Sequence, residues 1–327
     1  MILSNIKISC NLFAEVFEIS SGFVKRNKYL LRQFYAAGKL FSITFLLYLI
    51  FFEEYSFYSQ DNTLFNFIAG IIFAAAVSIA SIILEFLTLS GSIAAFIIAV
   101  PIFGFGGIKW SAPILTFFIL SSLLSKHRES RNPGLKDLSV KSDRRDHVQV
   151  LANGGTAGVL IIINQIFFQS RPELIYFLFV SSIAAACADT WGTETGTFFK
   201  KRTVDILNFK VVAPGSSGGI SMPGTLGAAA GALIIALSSL FWIRQNIFNN
   251  IFLITAAGFL GSIVDSVLGA SVQRKNICTI CRKITERAEH CGVAVRNYSG
   301  FKWISNDVVN LCCSVSGALF TLLIKLA

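Results

Sequence analysis

The feature that most constrains this chain is the spacing of its charges: long apolar stretches, several near 20 residues, are separated by short charged intervals. Wound as a helix rising about 1.5 Å per residue, such a stretch covers the roughly 30 Å hydrocarbon core of a bilayer. Backbone polar groups in hydrocarbon must be satisfied within the segment, so these runs are expected to be helical. Nine can be read, near 36–52, 64–84, 88–104, 110–124, 148–168, 173–190, 224–243, 248–270 and 308–325. The third is short and broken by Ser90-Gly91 and Pro101, and reads as either a short span or a re-entrant half-helix. The expected fold class is an all-α polytopic membrane protein of about nine transmembrane segments. Residues 1–35 form a cytoplasmic or interfacial N-terminal segment, 36–327 a single membrane domain, and 271–307 a cytoplasmic Cys/His-containing loop within it.

Orientation follows from Lys and Arg, which accumulate in cytoplasmic loops. With the N-terminus cytoplasmic, the inner regions 1–40, 85–90, 125–147, 191–223 and 271–307 hold 6, 0, 7, 4 and 7 of them, together 24 of 28. The net charge of +10 is therefore a signature of topology and not of nucleic-acid binding. The partners it favours are the bilayer's anionic headgroups and phosphorylated substrates. Residues 1–35 lack a small-residue cleavage site after a compact apolar core and do not read as a secretory signal, so a multi-pass protein of the cell (inner) membrane is expected. The seven cysteines do not suggest a disulfide framework: Cys278 and Cys281 fall in a reducing inner loop, and Cys187, Cys312 and Cys313 in apolar segments.

The unusual residues gather on the inner side. In "RRDHVQVLANGG", Arg145, Gln149 and Asn153 recur every four residues and form one polar stripe entering the fifth segment. In "AACADTWGTETG", Asp189 and Glu194 lie at the end of the sixth, where unwinding at Gly192 would bend both carboxylates toward one point. The stretch Pro214-Gly215-Ser216-Ser217-Gly218-Gly219, preceded by Lys200, Lys201, Arg202 and Lys210, could aim successive backbone N–H groups at an anion, although no Walker lysine closes it. In the eighth segment Asp265 sits between Gly261 and Gly269 on one helical face, and an ionisable residue inside a span is by default a functional candidate. Asn306, Asp307 and Asn310 open the ninth. Cys278-x-x-Cys281 and His290-Cys291 offer four soft ligands suited to a structural Zn²⁺, although adjacent His and Cys are awkward ligands for one ion. Carboxylates from two helices, beside glycines and cations, favour a site for a hard divalent cation and phosphates.

The order R-x3-Q-x3-N-G-G, A-D-T-W-x2-E-x-G, P-G-x2-G-G-x-S-x2-G-T, G-S-x2-D-S-x-L-G-A-x2-Q and N-D-x-V-N resembles an integral-membrane family. That family includes plant and cyanobacterial phytyl-phosphate kinase and a human transmembrane protein, and the resemblance covers roughly residues 65–325. It implies an isoprenoid-phosphate kinase that transfers a phosphoryl group from CTP or ATP to a phytyl or geranylgeranyl monophosphate at the cytoplasmic face. On that basis Asp189 and Asp265 would hold Mg²⁺, with Glu194 as a further ligand. Lys141, Arg144, Arg145, Lys210 and the 215–219 backbone would neutralise donor phosphates, and Asn153, Asn306 and Asn310 would orient phosphate oxygens or metal-bound water. The alternative is a transporter or flippase, which also uses broken helices and intramembrane carboxylates.

Overall fold

The computed structural model describes residues 63–131, 144–168, 172–243, 245–282, 284–286 and 289–327. The apolar segment at 36–52 and Lys141 lie outside them. The helices are α1 (Thr63–Ile83), α2 (Leu89–Arg131), α3 (His147–Phe167), α4 (Pro172–Phe199), α5 (Met222–Ser238), α6 (Ile247–Ser271) and α7 (Asn306–Leu326). Six of these are long and apolar enough to cross a membrane, and α5 is shorter at 17 residues. The protein is a polytopic helical membrane protein. The count of nine crossings is not established, because the first expected segment lies outside the described residues.

The third and fourth expected segments both fall within α2, whose 43 residues are interrupted at Gly107 with φ 57° and ψ −157°. That backbone region is open almost only to glycine. The chain folds back there, as contacts with α1 show. Phe103 packs on Phe73 and Phe105 on Phe67, each pair 4.9 Å between ring centroids, at or toward the start of α1. At the other end of α1, Lys126 Nζ donates to Leu84 O and Phe118 meets Phe86 edge-on at 5.9 Å. The arm covering 88–104 thus runs the length of α1 and is not a re-entrant half-helix.

Helix α4 is the central post. Buried residues make up 78% of its apolar window, against 28–39% for the other long helices. Its small side chains let backbones approach, which is how helices associate when lipid is the competing solvent. A Cβ added to Gly258 or Gly261 of α6 would lie 2.7 or 2.6 Å from the Cβ of Ala184 or Ala185, and one on Gly317 of α7 would lie 2.5 Å from Ser181 O. Across the same seam Cys313 Sγ donates to Ala185 O at 3.4 Å and Thr321 Oγ1 to Ser181 Oγ at 2.7 Å.

Short antiparallel sheets decorate the loops without changing the helical class. Strand β1 (Thr203–Asp205) lies between β2 (Val211–Val212) and β3 (Gly219–Ile220). In the loop before α7, β4 (Lys275–Ile277) lies between β5 (Ile284–Thr285) and β8 (Arg296–Ser299), and β6 (Glu289–His290) pairs with β7 (Val293–Ala294). Because the α4–α6 seam has no spare volume at Gly261, Gly261→Val should destabilise the protein by about 1–3 kcal/mol, read as a lower melting temperature in detergent. An unchanged melting temperature would contradict the packing described for this seam.

Candidate active site

Most of the polar residues singled out above come together because alternate helices end or begin at the same face. The C-terminal ends of α1, α2, α4 and α6 and the N-terminal ends of α3, α5 and α7 line one cleft of about 490 Å³. It lies on the side that the Lys and Arg distribution marks as cytoplasmic. The three N-termini carry side-chain caps: Asp146 Oδ1 accepts from Gln149 N at 3.0 Å, Ser221 Oγ from Gly224 N at 3.3 Å, and Ser305 Oγ from Val308 N at 3.4 Å. Three positive helix-dipole ends therefore converge on the cleft and favour anions there.

Asp189 and Asp265 meet across the α4–α6 seam, with their carboxyl groups within hydrogen-bond reach of each other. Among the described residues, no Lys or Arg forms an ion pair with either. Asn310, with its amide oriented to satisfy its neighbours, donates to Asp265 Oδ2 and to Asn306 O, both at 3.2 Å. Two adjacent carboxylates cannot both stay charged without a proton or a cation between them. The arrangement fits a divalent ion held by oxygen ligands, with open positions for substrate oxygens.

Glu194 is arranged differently from the sequence-based expectation. Helix α4 continues without a break through Gly192 to Phe199. Five residues of regular helix place Asp189 and Glu194 about 140° apart around the axis. Glu194 instead faces α2, where it is paired with Arg128 and accepts from Ser125 Oγ at 2.7 Å.

Arg145 is held at the mouth by its backbone, whose N–H donates to Phe86 O at 3.1 Å while its carbonyl accepts from Thr88 N at 3.0 Å. Its guanidinium lies 5.8 Å from the centre of the Phe117 ring. Gln149 and Asn153 also line the cleft. Gln149 doubles as the reciprocal half of a capping box, accepting from Asp146 N at 3.1 Å. The Asp-x-x-Gln signature for it is present in the sequence.

The 214–219 stretch is two consecutive tight turns. Ser216 N donates to Ala213 O at 3.1 Å around Pro214-Gly215, and Gly219 N donates to Ser216 O at 2.9 Å around Ser217-Gly218. Gly215 and Gly218 have φ of +86° and +79°, the positive value that a type II turn requires at its third residue. Two N–H donors of the expected anion cradle are therefore already used. The second turn presses on α6, since a Cβ on Gly218 would lie 2.5 Å from Ala270.

Glu286 and Lys275, not singled out in the sequence, anchor this loop together with Gln273, the last residue of the G-S-x2-D-S-x-L-G-A-x2-Q motif. Gln273 Nε2 donates to Ser217 Oγ at 3.0 Å and to Glu286 Oε1 at 2.7 Å, Ser217 Oγ also donates to Glu286, and Lys275 Nζ donates to Ser217 O at 3.2 Å. Burial raises the Glu286 carboxyl above its usual range, opposed by the Ser217 hydroxyl. Glu286, Arg128 and Ser125 lay in loop or helix-end stretches with no distinguishing pattern, and only the fold identifies them. Lys210 is exposed in the β1–β2 turn and does not line the cleft. Arg144 pairs with Glu85 at its rim. Asp307 and Asn306 do line it. Outside the cleft, Cys278, Cys281, His290 and Cys291 converge, with ligand atoms all within 4.8 Å of one another. The backbone N–H of Cys281 lowers the Cys278 thiol to about 6.

These features define a multi-pass membrane protein with an acidic, amide-lined cleft at one membrane face. The chain belongs to the family described as "Integral membrane protein DUF92", which matches residues 72–318. It is 28% identical over 274 residues to Protein PGR of Arabidopsis thaliana, covering 77% of this chain and 93% of the relative. It is 34% identical over 176 residues to the uncharacterized membrane protein MJ0933 of Methanocaldococcus jannaschii, covering 53% and 69%. A third relative, Protein VTE6, chloroplastic, of Arabidopsis thaliana, is 24% identical over 241 residues, covering 73% and 65%. No solved structure matches the chain.

Arg128→Ala should leave Glu194 without its counter-charge in a mostly buried place, with only the Ser125 hydroxyl as partner, at a cost of about 2–4 kcal/mol. The double change Arg128→Met with Glu194→Gln should recover most of that loss. Thermal unfolding in detergent measures both, and equal stability of the single and double variants would show that the pair does not act as a unit.

Proposed function

We propose that the protein is a membrane phosphotransferase that moves a phosphoryl group from CTP or ATP to an isoprenyl monophosphate of the phytyl or geranylgeranyl type, at the cytoplasmic face of the cell (inner) membrane. The observation that carries this reading is that the polar cleft shares Arg145, Gln149 and Asn153 with an apolar pocket. That pocket is lined by Ile98, Phe103, Leu115 and Phe117 among others, lies between α1, α3 and both arms of α2, and has a volume of about 80 Å³. An acceptor with an anionic head and a long apolar tail fits such a junction. Its phosphate would lie against Arg145, the first part of its tail in the pocket, and the remainder in lipid. The resemblance to a family containing phytyl-phosphate kinase supports the same substrate class.

The chemistry asks little covalent work of the protein. Phosphoryl transfer is accelerated chiefly by positioning and by stabilising charge on the transferring group. The acceptor oxygen is already anionic, so no strong general base is required. Arg145 would neutralise the acceptor phosphate, while the N-termini of α5 and α7 and the hydroxyl of Ser216 would orient the donor phosphates. Asp189 and Asp265 would hold Mg²⁺, which supplies charge neutralisation at the phosphate oxygens. Asn310 would fix the Asp265 carboxyl, and Asn153 and Asn306 would orient phosphate oxygens. Glu194, already paired with Arg128, would fix the α2–α4 wall. Polar side chains gathered at one end of the helices favour surface chemistry over the midplane site of a transporter.

The test is purified protein in liposomes with Mg²⁺, labelled CTP or ATP, and a panel of isoprenyl monophosphates. The expected result is an isoprenyl diphosphate, with Asp189→Asn and Asp265→Asn each lowering kcat by about 100-fold or more at normal folding. Folded protein that yields no diphosphate from any acceptor would overturn the proposal. Undiminished rates in both Asp variants would remove the metal assignment.

A further inference from the structure

The Cys/His loop between α6 and α7 is separate from the cleft chemistry, yet its ligands flank a residue that reaches into the cleft. We infer that Cys278, Cys281, His290 and Cys291 form a closed structural zinc site whose role is to hold Glu286 against the Ser217 turn.

The donor set and its geometry support the metal. Tetrahedral zinc with thiolate and imidazole ligands brings donor atoms to about 3.5–3.8 Å from one another. The four ligand atoms here all lie within 4.8 Å, with His290 Nδ1 3.4 Å from Cys281 Sγ and 3.2 Å from Cys291 Sγ. Adjacent His and Cys ordinarily point to different places along an extended chain. Here Cys291 takes φ 53° and Gly292 φ 73°, a sharp left-handed turn that swings the Cys291 side chain back beside His290. The Cys278-x-x-Cys281 half is closed in the same way. Arg282, at φ 58°, donates its N–H to Cys278 O at 3.0 Å and folds the two thiols together. Left-handed backbone is uncommon at non-glycine residues, and at both Cys291 and Arg282 it accompanies the convergence of the ligands. Four protein ligands leave no position for substrate, which makes the site structural.

Connectivity supplies the role. The two ligand pairs bracket β5 and Glu286, and β5 pairs with β4, the strand leading out of α6. Glu286 accepts from Ser217 and Gln273, and so ties the zinc loop to the turn that lines the cleft. Releasing the metal frees this short, two-residue strand from its clamp and with it the anchor on Ser217. The functional consequence rests on the phosphotransferase reading, whereas the metal and the anchoring do not.

The full-length protein in detergent is tested by elemental analysis and by hydrogen exchange. Protein purified with zinc in the medium should carry about one zinc per chain, falling below about a tenth of that in Cys281→Ser and in Cys291→Ser. Co²⁺ substitution should give thiolate charge-transfer absorption. Amide exchange across residues 214–220 should speed up at least about fivefold in the zinc-free variants and in Glu286→Gln, with Glu286→Gln keeping its zinc. Absence of zinc, no uptake of added Zn²⁺ or Co²⁺, or recovery of Cys278 and Cys281 as a disulfide would overturn the metal site. A zinc-loaded protein whose 214–220 exchange is indifferent to both kinds of variant would overturn the anchoring role. Neither readout depends on catalysis, so loss of the kinase proposal leaves both intact.

Discussion

The close contact of α4 with α6 is the constraint on which the rest of the molecule depends. Both helices run in the same direction across the bundle, and Gly261 fits against Ala185 with no room for a side chain. One helical turn further on each helix brings Asp189 and Asp265 side by side. Small residues set the helix spacing, the spacing fixes the register, and the register places the two acids. Helix α7 completes the arrangement from the opposite direction, with Cys313 against Ala185 and Asn310 one turn closer to the cleft against Asp265.

The cleft also separates two kinds of carboxylate. Glu194 has a guanidinium to balance its charge and a hydroxyl that donates to it. Asp189 and Asp265 chiefly have each other. In a region of low dielectric that difference is large, because like charges in contact repel strongly unless a cation intervenes. A pair left in this state beside three helix N-termini suits a ligand that carries positive and negative charge together, as a metal-bound polyphosphate does. Charge complementarity, more than any single motif, is what supports the proposal that the cleft takes phosphates.

Much of this was readable from the sequence because polar residues stand out against an apolar background. Asp265 amid glycines, the Arg145/Gln149/Asn153 stripe and the Asn306/Asn310 pair all line the cleft, since a polar residue in a span must face protein or water. Other features were not readable. Glu194 was grouped with Asp189 by closeness in sequence, but the helix persists, and the ability of Gly192 to break it is overridden by packing against Gly224 and Ala228 of α5. The fold-back at Gly107 looks like any other glycine in "FGFGGIKW" until the contacts at both ends of α1 are known. Glu286 and Arg128 lie among many charges in inner loops, and only tertiary pairing distinguishes them. Lys210 shows the opposite error: a cation close to a glycine-rich loop in sequence was assigned to it, yet the β1–β2 turn carries it to the surface.

The polar stripe of α3 decides how an amphiphile could be handled. Its three residues line both the apolar pocket between α1, α3 and the two arms of α2 and the polar cleft. A headgroup anchored there stays at a fixed depth whatever the length of its tail, since the tail's far end can remain in the bilayer. Tail length would then be selected weakly and headgroup charge strongly. Specificity would rest on a few hydrogen-bonding groups whose partners cannot be removed without leaving buried polar atoms unsatisfied, a sharper discriminator than an added or missing methylene. Placed at a helix start and held by the 84–88 loop through the Arg145 backbone, that stripe has a fixed position, as the proposed membrane-dissolved substrate would require of a depth gauge.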